Sequence, residues 1–178
     1  MREYTRLQTL VANLPYLGMT FLGAAIFVAG FGPARWALLA GAAYVLYAFA
    51  GAFWIMLFVC PSCGFHGTRG CPCGYGWFSA KLRPRNLSGC FTDKFKKHIP
   101  VIVPLWFIPL IPAGISLYYG FTWKMVILLG LFVVVSFVIL PLVSRWHGCA
   151  ECPQREECPW MKRKTQKKDE TTDKIGNI

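Results

Sequence analysis

Four stretches of the chain contain no Asp, Glu, Lys or Arg: residues 7–34, 36–68, 98–123 and 125–144. Apolar side chains fill them in long runs and do not recur as the single stripe of a half-buried soluble helix. Crossing the hydrocarbon layer takes about 20 apolar residues in a helix. Lipid offers the backbone no hydrogen bonds, so such runs must form helices, which satisfy their own amides and carbonyls. The pattern predicts spans near 14–32, 36–59, 99–119 and 125–143. Only short segments separate the first span from the second and the third from the fourth. The spans therefore pair as two hairpins, 14–59 and 99–144. The expected fold class is an all-α membrane protein with four transmembrane helices.

Composition points the same way. The chain of 178 residues is 55% hydrophobic and 15% charged, against roughly 25% charged in ordinary soluble domains. Arg2 and Arg6 precede the first span, as basic residues precede a signal peptide. Its apolar stretch is longer than the usual signal core of about 7–15 residues, which predicts a retained helix. Ala25, Ala29, Ala37, Gly41, Ala48 and Ala52 recur along the first two spans. Small residues at that spacing are expected to form helix-packing faces.

Charge sets the expected orientation. Of the 19 Lys and Arg residues, only Arg35 and Lys124 fall in the two short connections. The other 17, together with all eight Asp and Glu, lie in 1–13, 60–98 and 145–178, a net formal charge of +9. The bias of Lys and Arg toward the inner side predicts that both termini and the 60–98 loop are cytoplasmic. Within the C-terminal part, 145–160 carries a Cys motif and 161–178 reads as a disordered basic tail. Phe91 and Phe95 are interspersed with Lys94, Lys96 and Lys97. That pattern predicts an interfacial amphipathic helix over 90–98, in contact with anionic membrane lipids. No nucleic-acid recognition motif accompanies the basic surface, so no nucleic-acid partner is expected.

All eight cysteines fall on the same predicted side, in two groups. The first is Cys60-Pro-Ser-Cys63-Gly, then Cys71-Pro-Cys73-Gly; Cys90 follows alone. The second is Cys149, Cys152 and Cys158. Each group begins where a hairpin ends. Disulfides are disfavoured in a reducing compartment. Inert packing thiols are not usually clustered with Pro and Gly in polar turns. Metal ligation remains. Short C-x-x-C and C-x-C spacings aim consecutive thiolates at one ion, and Gly64 and Gly74 stand where such turns want a positive φ. The expected sites are Cys60, Cys63, Cys71 and Cys73, and Cys90 with Cys149, Cys152 and Cys158. His147 or a substrate is an alternative to Cys90 as the fourth ligand.

Local resemblances bear on the metal. Cys60-Pro-Ser-Cys63-Gly resembles a zinc-ribbon knuckle, which implies a tetrahedral Zn²⁺ site. Cys60, Cys71, Cys152 and Cys158 each precede a proline, which resembles bacterial ferredoxin ligands. The C-x2-C-x5-C spacing at 149–158 is similar to part of the auxiliary-cluster motif of SPASM domains, over ten residues. Soft all-thiolate ligation suits either metal. The reading taken forward is two [4Fe–4S] clusters in a membrane subunit. It would pass electrons between a cytoplasmic redox partner and a membrane carrier or partner subunit. Two zinc ions in an interaction or assembly protein, or transient handling of a soft cation, are the alternatives. No residue stands out as a catalytic acid, base or nucleophile.

Other chemistries find less support. His66, His98 and His147 all lie at or outside the membrane edge, so a bis-His haem within the bundle is not expected. No carboxylate lies in a span, against a cation-coupled transporter. Gly74 and Gly76 form a Gly-x-Gly too short for a dinucleotide fingerprint. Four spans around a Cys-rich loop resemble the Asp-His-His-Cys palmitoyltransferases, but that string is absent. Paired thiols on four spans also resemble quinone-coupled disulfide-forming proteins, whose thiols face the opposite side. Pro100, Pro104, Pro109 and Pro112 predict a kinked or partly unwound third span. A pocket for a quinone or lipid lined by Trp54 and Trp106 is one consequence. Bending for helix packing is the other.

Overall fold

A computed structural model describes residues 3–32, 34–86 and 91–148. Cys90, Cys149, Cys152, Cys158, the His147 side chain and the 161–178 tail lie outside the described residues. Every regular element described is helical. Four helical runs are long and apolar enough to cross a bilayer: Arg6–Phe31, Arg35–Ser62, Phe91–Tyr119 and Trp123–Trp146. This is the architecture of a multi-pass membrane protein.

The first span is α1 (Arg6–Phe31). A reciprocal cap starts it: Gln8 N–H donates to Thr5 Oγ1, and Thr5 N–H donates to the Gln8 side chain. The chain turns at Gly32, whose φ of 71° suits glycine, and enters α2 (Arg35–Phe58). α1 packs against α2 and also meets the third and fourth spans, so it is the central helix. On α2 the buried face runs through Ala37, Gly41, Tyr44, Ala48 and Ala52, as the small-residue spacing predicts. On α1 the expectation fails. Ala25 and Ala29 are exposed, and the packing face runs through Met19, Thr20, Gly23 and Ile26. The reason is Tyr44, which lies across α1 where only a glycine leaves room. A Cβ on Gly23 would sit 2.4 Å from the Tyr44 ring.

The third span is segmented. α4 (Phe91–His98) leads into a tight turn at Ile99–Val101, then α5 (Pro104–Phe107) and α6 (Leu110–Tyr119). Each break sits at a proline, because proline cannot donate to the carbonyl four residues back. Pro109 leaves the Leu105 carbonyl without its helical donor. The Tyr44 hydroxyl donates to that oxygen at 2.8 Å. One turn earlier, Leu105 N–H bonds to Ile102 O, which frees Val101 O, and the Tyr47 hydroxyl donates to it.

The fourth span repeats the device. α7 (Trp123–Val133) widens into a π-helical stretch, Val134–Ile139, before α8 (Leu140–Val143). Leu140 N–H bonds to Val135 O, five residues back. On the same register Ser136 O would take its bond from residue 141, which is Pro141 and has no N–H. The Trp106 indole N–H donates to Ser136 O instead, at 3.2 Å. Met19, Ile26, Tyr44, Leu105, Ala113, Met125 and Phe132 form a core to which every span contributes. Trp36, Tyr118, Tyr119 and Trp123 are exposed around the two short connections, where aromatic rings suit a membrane interface.

Tyr44→Phe should lower stability by about 1–3 kcal/mol, the cost of an unsatisfied buried carbonyl. Pro109→Ala returns an N–H to the position that serves Leu105 O. In that background the cost of Tyr44→Phe should fall to roughly half or less. Thermal unfolding of the four proteins in detergent checks this; equal costs in both backgrounds would refute the assignment. Gly23→Ala should produce a loss similar to Tyr44→Phe by pushing the ring away.

Candidate metal centre

The loop that carries the first four cysteines grows directly from α2. Val59 N–H closes the last helical turn on Ile55 O. Pro61 then favours a tight turn over Cys60–Ser62, and Cys63 N–H donates to Cys60 O at 3.1 Å. His66 N–H donates to Cys63 O at 3.0 Å. The second pair repeats the motif, with Gly74 N–H on Cys71 O at 3.0 Å. Gly74 takes a φ of 74°, as its place after the second cysteine predicts. Gly64 does not adopt a positive φ; that conformation falls at Gly67, where φ is 78°. The first knuckle continues into a further turn through His66 N–H, so its reversal comes three residues later. There Gly67 N–H donates to Gly76 O at 3.1 Å and ties the two knuckles together.

Gly76 brings the strands of the loop close enough for backbone to meet sulfur. Its N–H donates to Cys71 Sγ at 3.4 Å. A Cβ there would stand 2.6 Å from Phe65 O, so any side chain must displace the backbone. Cys60 is buried; Cys63, Cys71 and Cys73 are half-buried. The four cysteines thus lie on one loop, in two turns joined through Gly67 and Gly76. None of the four is joined in a disulfide. Among the described residues no three or more His, Cys, Asp or Glu side chains stand in a metal-holding arrangement.

α3 (Tyr75–Leu82) closes the loop against the bundle. Burial pushes the Tyr75 phenol well above its ordinary pKa, and Cys73, Tyr16, Cys60 and Cys71 push it the same way, so it stays neutral. Ser79 is buried and its hydroxyl donates to Met56 O at 2.7 Å, capping the end of α2. Asn13, on α1, donates to Cys73 O at 3.1 Å. Tyr4 N–H donates to Arg69 O at 3.1 Å. The cysteine loop is therefore held by the start of α1 and the end of α2. His66 is also buried, and its Nδ1 has no hydrogen-bond partner among the described residues.

Trp54 and Trp106 serve different contacts. The Trp54 indole donates to His98 Nδ1 at 3.2 Å, beside Phe58. The Trp106 indole is committed to Ser136 O. Sequence reasoning overlooked Tyr44, Tyr47, Asn13 and Ser79. Their signal was faint: isolated polar groups in apolar runs, which must find a partner once buried. Comparison with known family models, curated proteins and solved structures finds no match.

Gly76→Ala should open the loop, with a local loss of about 1–3 kcal/mol from strain and lost bonds. The readout is thiol labelling of the metal-free protein. Cys60 should react more slowly than Cys63, Cys71 and Cys73 in the native chain and approach their rates in Gly76→Ala.

Proposed function

We propose that this is a membrane protein whose Cys60, Cys63, Cys71 and Cys73 hold a metal centre at one end of the helical bundle. The observation that carries the reading is the loop itself: two cysteine turns, Cys60–Cys63 and Cys71–Gly74, tied together by Gly67 N–H on Gly76 O. Four thiolates brought together repel one another, and a soft cation or cluster relieves that repulsion. Binding would displace the thiol protons. The Gly76 N–H already donates to Cys71 Sγ, as backbone amides do to the sulfurs of thiolate-bound clusters.

The metal proposed is a [4Fe–4S] cluster, with a second held by Cys90, Cys149, Cys152 and Cys158. Both would face the cytoplasm, on the side where Lys and Arg concentrate. The protein would then pass electrons between a cytoplasmic redox partner and a membrane carrier, such as a quinone, or a partner subunit. A second reading is a zinc platform for interaction or assembly. It is favoured by the bonds from Asn13 and Ser79, which fix the loop as a structural site requires.

Protein purified without oxygen should carry about eight iron and eight sulfide per chain and absorb broadly in the visible. A colourless protein with about two zinc would overturn the electron-transfer reading and support the platform. Cys90→Ser should abolish one centre and leave the other; loss of both or neither would refute the grouping.

A further inference from the structure

Two separate segments, α4 and the residue after α3, deliver basic side chains to one aromatic surface at the end of α2. Trp54 and Phe58 lie side by side there, with ring centroids 4.3 Å apart. His98, at the end of α4, stacks on Phe58 at 5.2 Å and 23°. Arg83, just beyond α3, holds its guanidinium over the same Phe58 ring, at 5.2 Å. On α4, Lys94 precedes His98 by about one helical turn and Lys97 adjoins it. α4 has a single carboxylate, Asp93, against three lysines and one histidine. Trp54 N–H occupies His98 Nδ1, so the neutral ring carries its proton on Nε2. The Trp54 bond therefore fixes the ring as a donor whose Nε2–H points away from the indole.

We propose that Arg83, His98, Lys94 and Lys97 form a binding site for the phosphate of an anionic phospholipid, with Trp54 and Phe58 beneath it. A guanidinium and an imidazole N–H supply directional donors, and the lysines supply charge. The aromatic floor favours a lipid over a free anion. Trp54 is part-exposed on an apolar helix whose neighbouring Phe53 and Phe49 are also exposed, so acyl chains have a surface to follow. The proposal rests on the membrane-spanning architecture and is independent of which metal the cysteines hold.

The test uses the full chain in nanodiscs of phosphatidylcholine with a minor share of phosphatidylglycerol, and native mass spectrometry to count retained lipids. The native protein should retain phosphatidylglycerol preferentially. Arg83→Ala with Lys94→Ala and Lys97→Ala should reduce that preference at least about ten-fold. The control removes the same number of charges from the tail: Lys162→Ala, Arg163→Ala and Lys164→Ala. It should retain most of the preference. Equal loss in both triple variants would overturn the site in favour of diffuse surface charge. An unchanged preference in the first variant would also overturn it. Displacement of the lipid by millimolar inorganic phosphate would assign the site to a small anion and refute the lipid. Matching circular dichroism and elution volume show that the variants are folded. Trp54→Phe offers a second approach: it frees His98 from its fixed tautomer and should weaken retention without changing net charge.

Discussion

A proline in a membrane-crossing helix leaves a carbonyl that lipid cannot satisfy, and this constraint decides how the spans meet. Leu105 O, Val101 O and Ser136 O each lack the usual helical donor. Each is served by an aromatic side chain from another span: Tyr44, Tyr47 and Trp106. These bonds fix the depth and rotation of the helices, because a hydroxyl or indole reaches only one carbonyl. Between apolar helices in lipid there is little hydrophobic driving force to set register. Hydrogen bonds and close packing must do so. Gly23 belongs to the same arrangement, since it makes room for the ring that reaches Leu105.

α2 carries this organisation to the cysteine loop. Its middle presents Tyr44 and Tyr47 to the broken third span, and its end becomes the first knuckle at Cys60. The loop returns to the same helix through Ser79 on Met56 O, and to α1 through Asn13 on Cys73 O. The thiols are thus supported by α1 and α2. Trp54 and Phe58 lie one turn before the knuckle and meet His98 and Arg83. The thiol cluster and the basic aromatic surface consequently share one support, and a disturbance at the end of α2 would be felt at both.

The four spans were legible in the sequence because length and hydropathy alone decide whether a helix can cross a bilayer. The break in span three was equally legible, since proline lacks an N–H wherever it stands. Less was visible on α1. Ala25 and Ala29 have the spacing of a packing face, yet they are exposed, and Gly23 takes that role because a tyrosine of another helix lies against it. The π-helical stretch in span four was not visible either. Pro141 explains the missing donor once the wider register is known, but the register depends on neighbours. At the cysteines, the spacing placed the second positive φ correctly at Gly74. It misplaced the first, which lies at Gly67 because the knuckle continues into another turn.

By itself, then, the sequence determined the class of fold and the points where the third helix must break. These follow from properties each residue carries anywhere: apolar area and a missing amide hydrogen. Only the tertiary structure decided which hydroxyl satisfies which freed carbonyl, which face of α1 is buried, and that the loop rests on Asn13 and Ser79. It also decided that Arg83, Lys94, Lys97 and His98 collect beside Trp54 and Phe58. Those outcomes join groups far apart in the chain; Tyr44 and Leu105, for one, are 61 residues apart. They depend on the distance and direction between side chains, which no one-dimensional pattern contains.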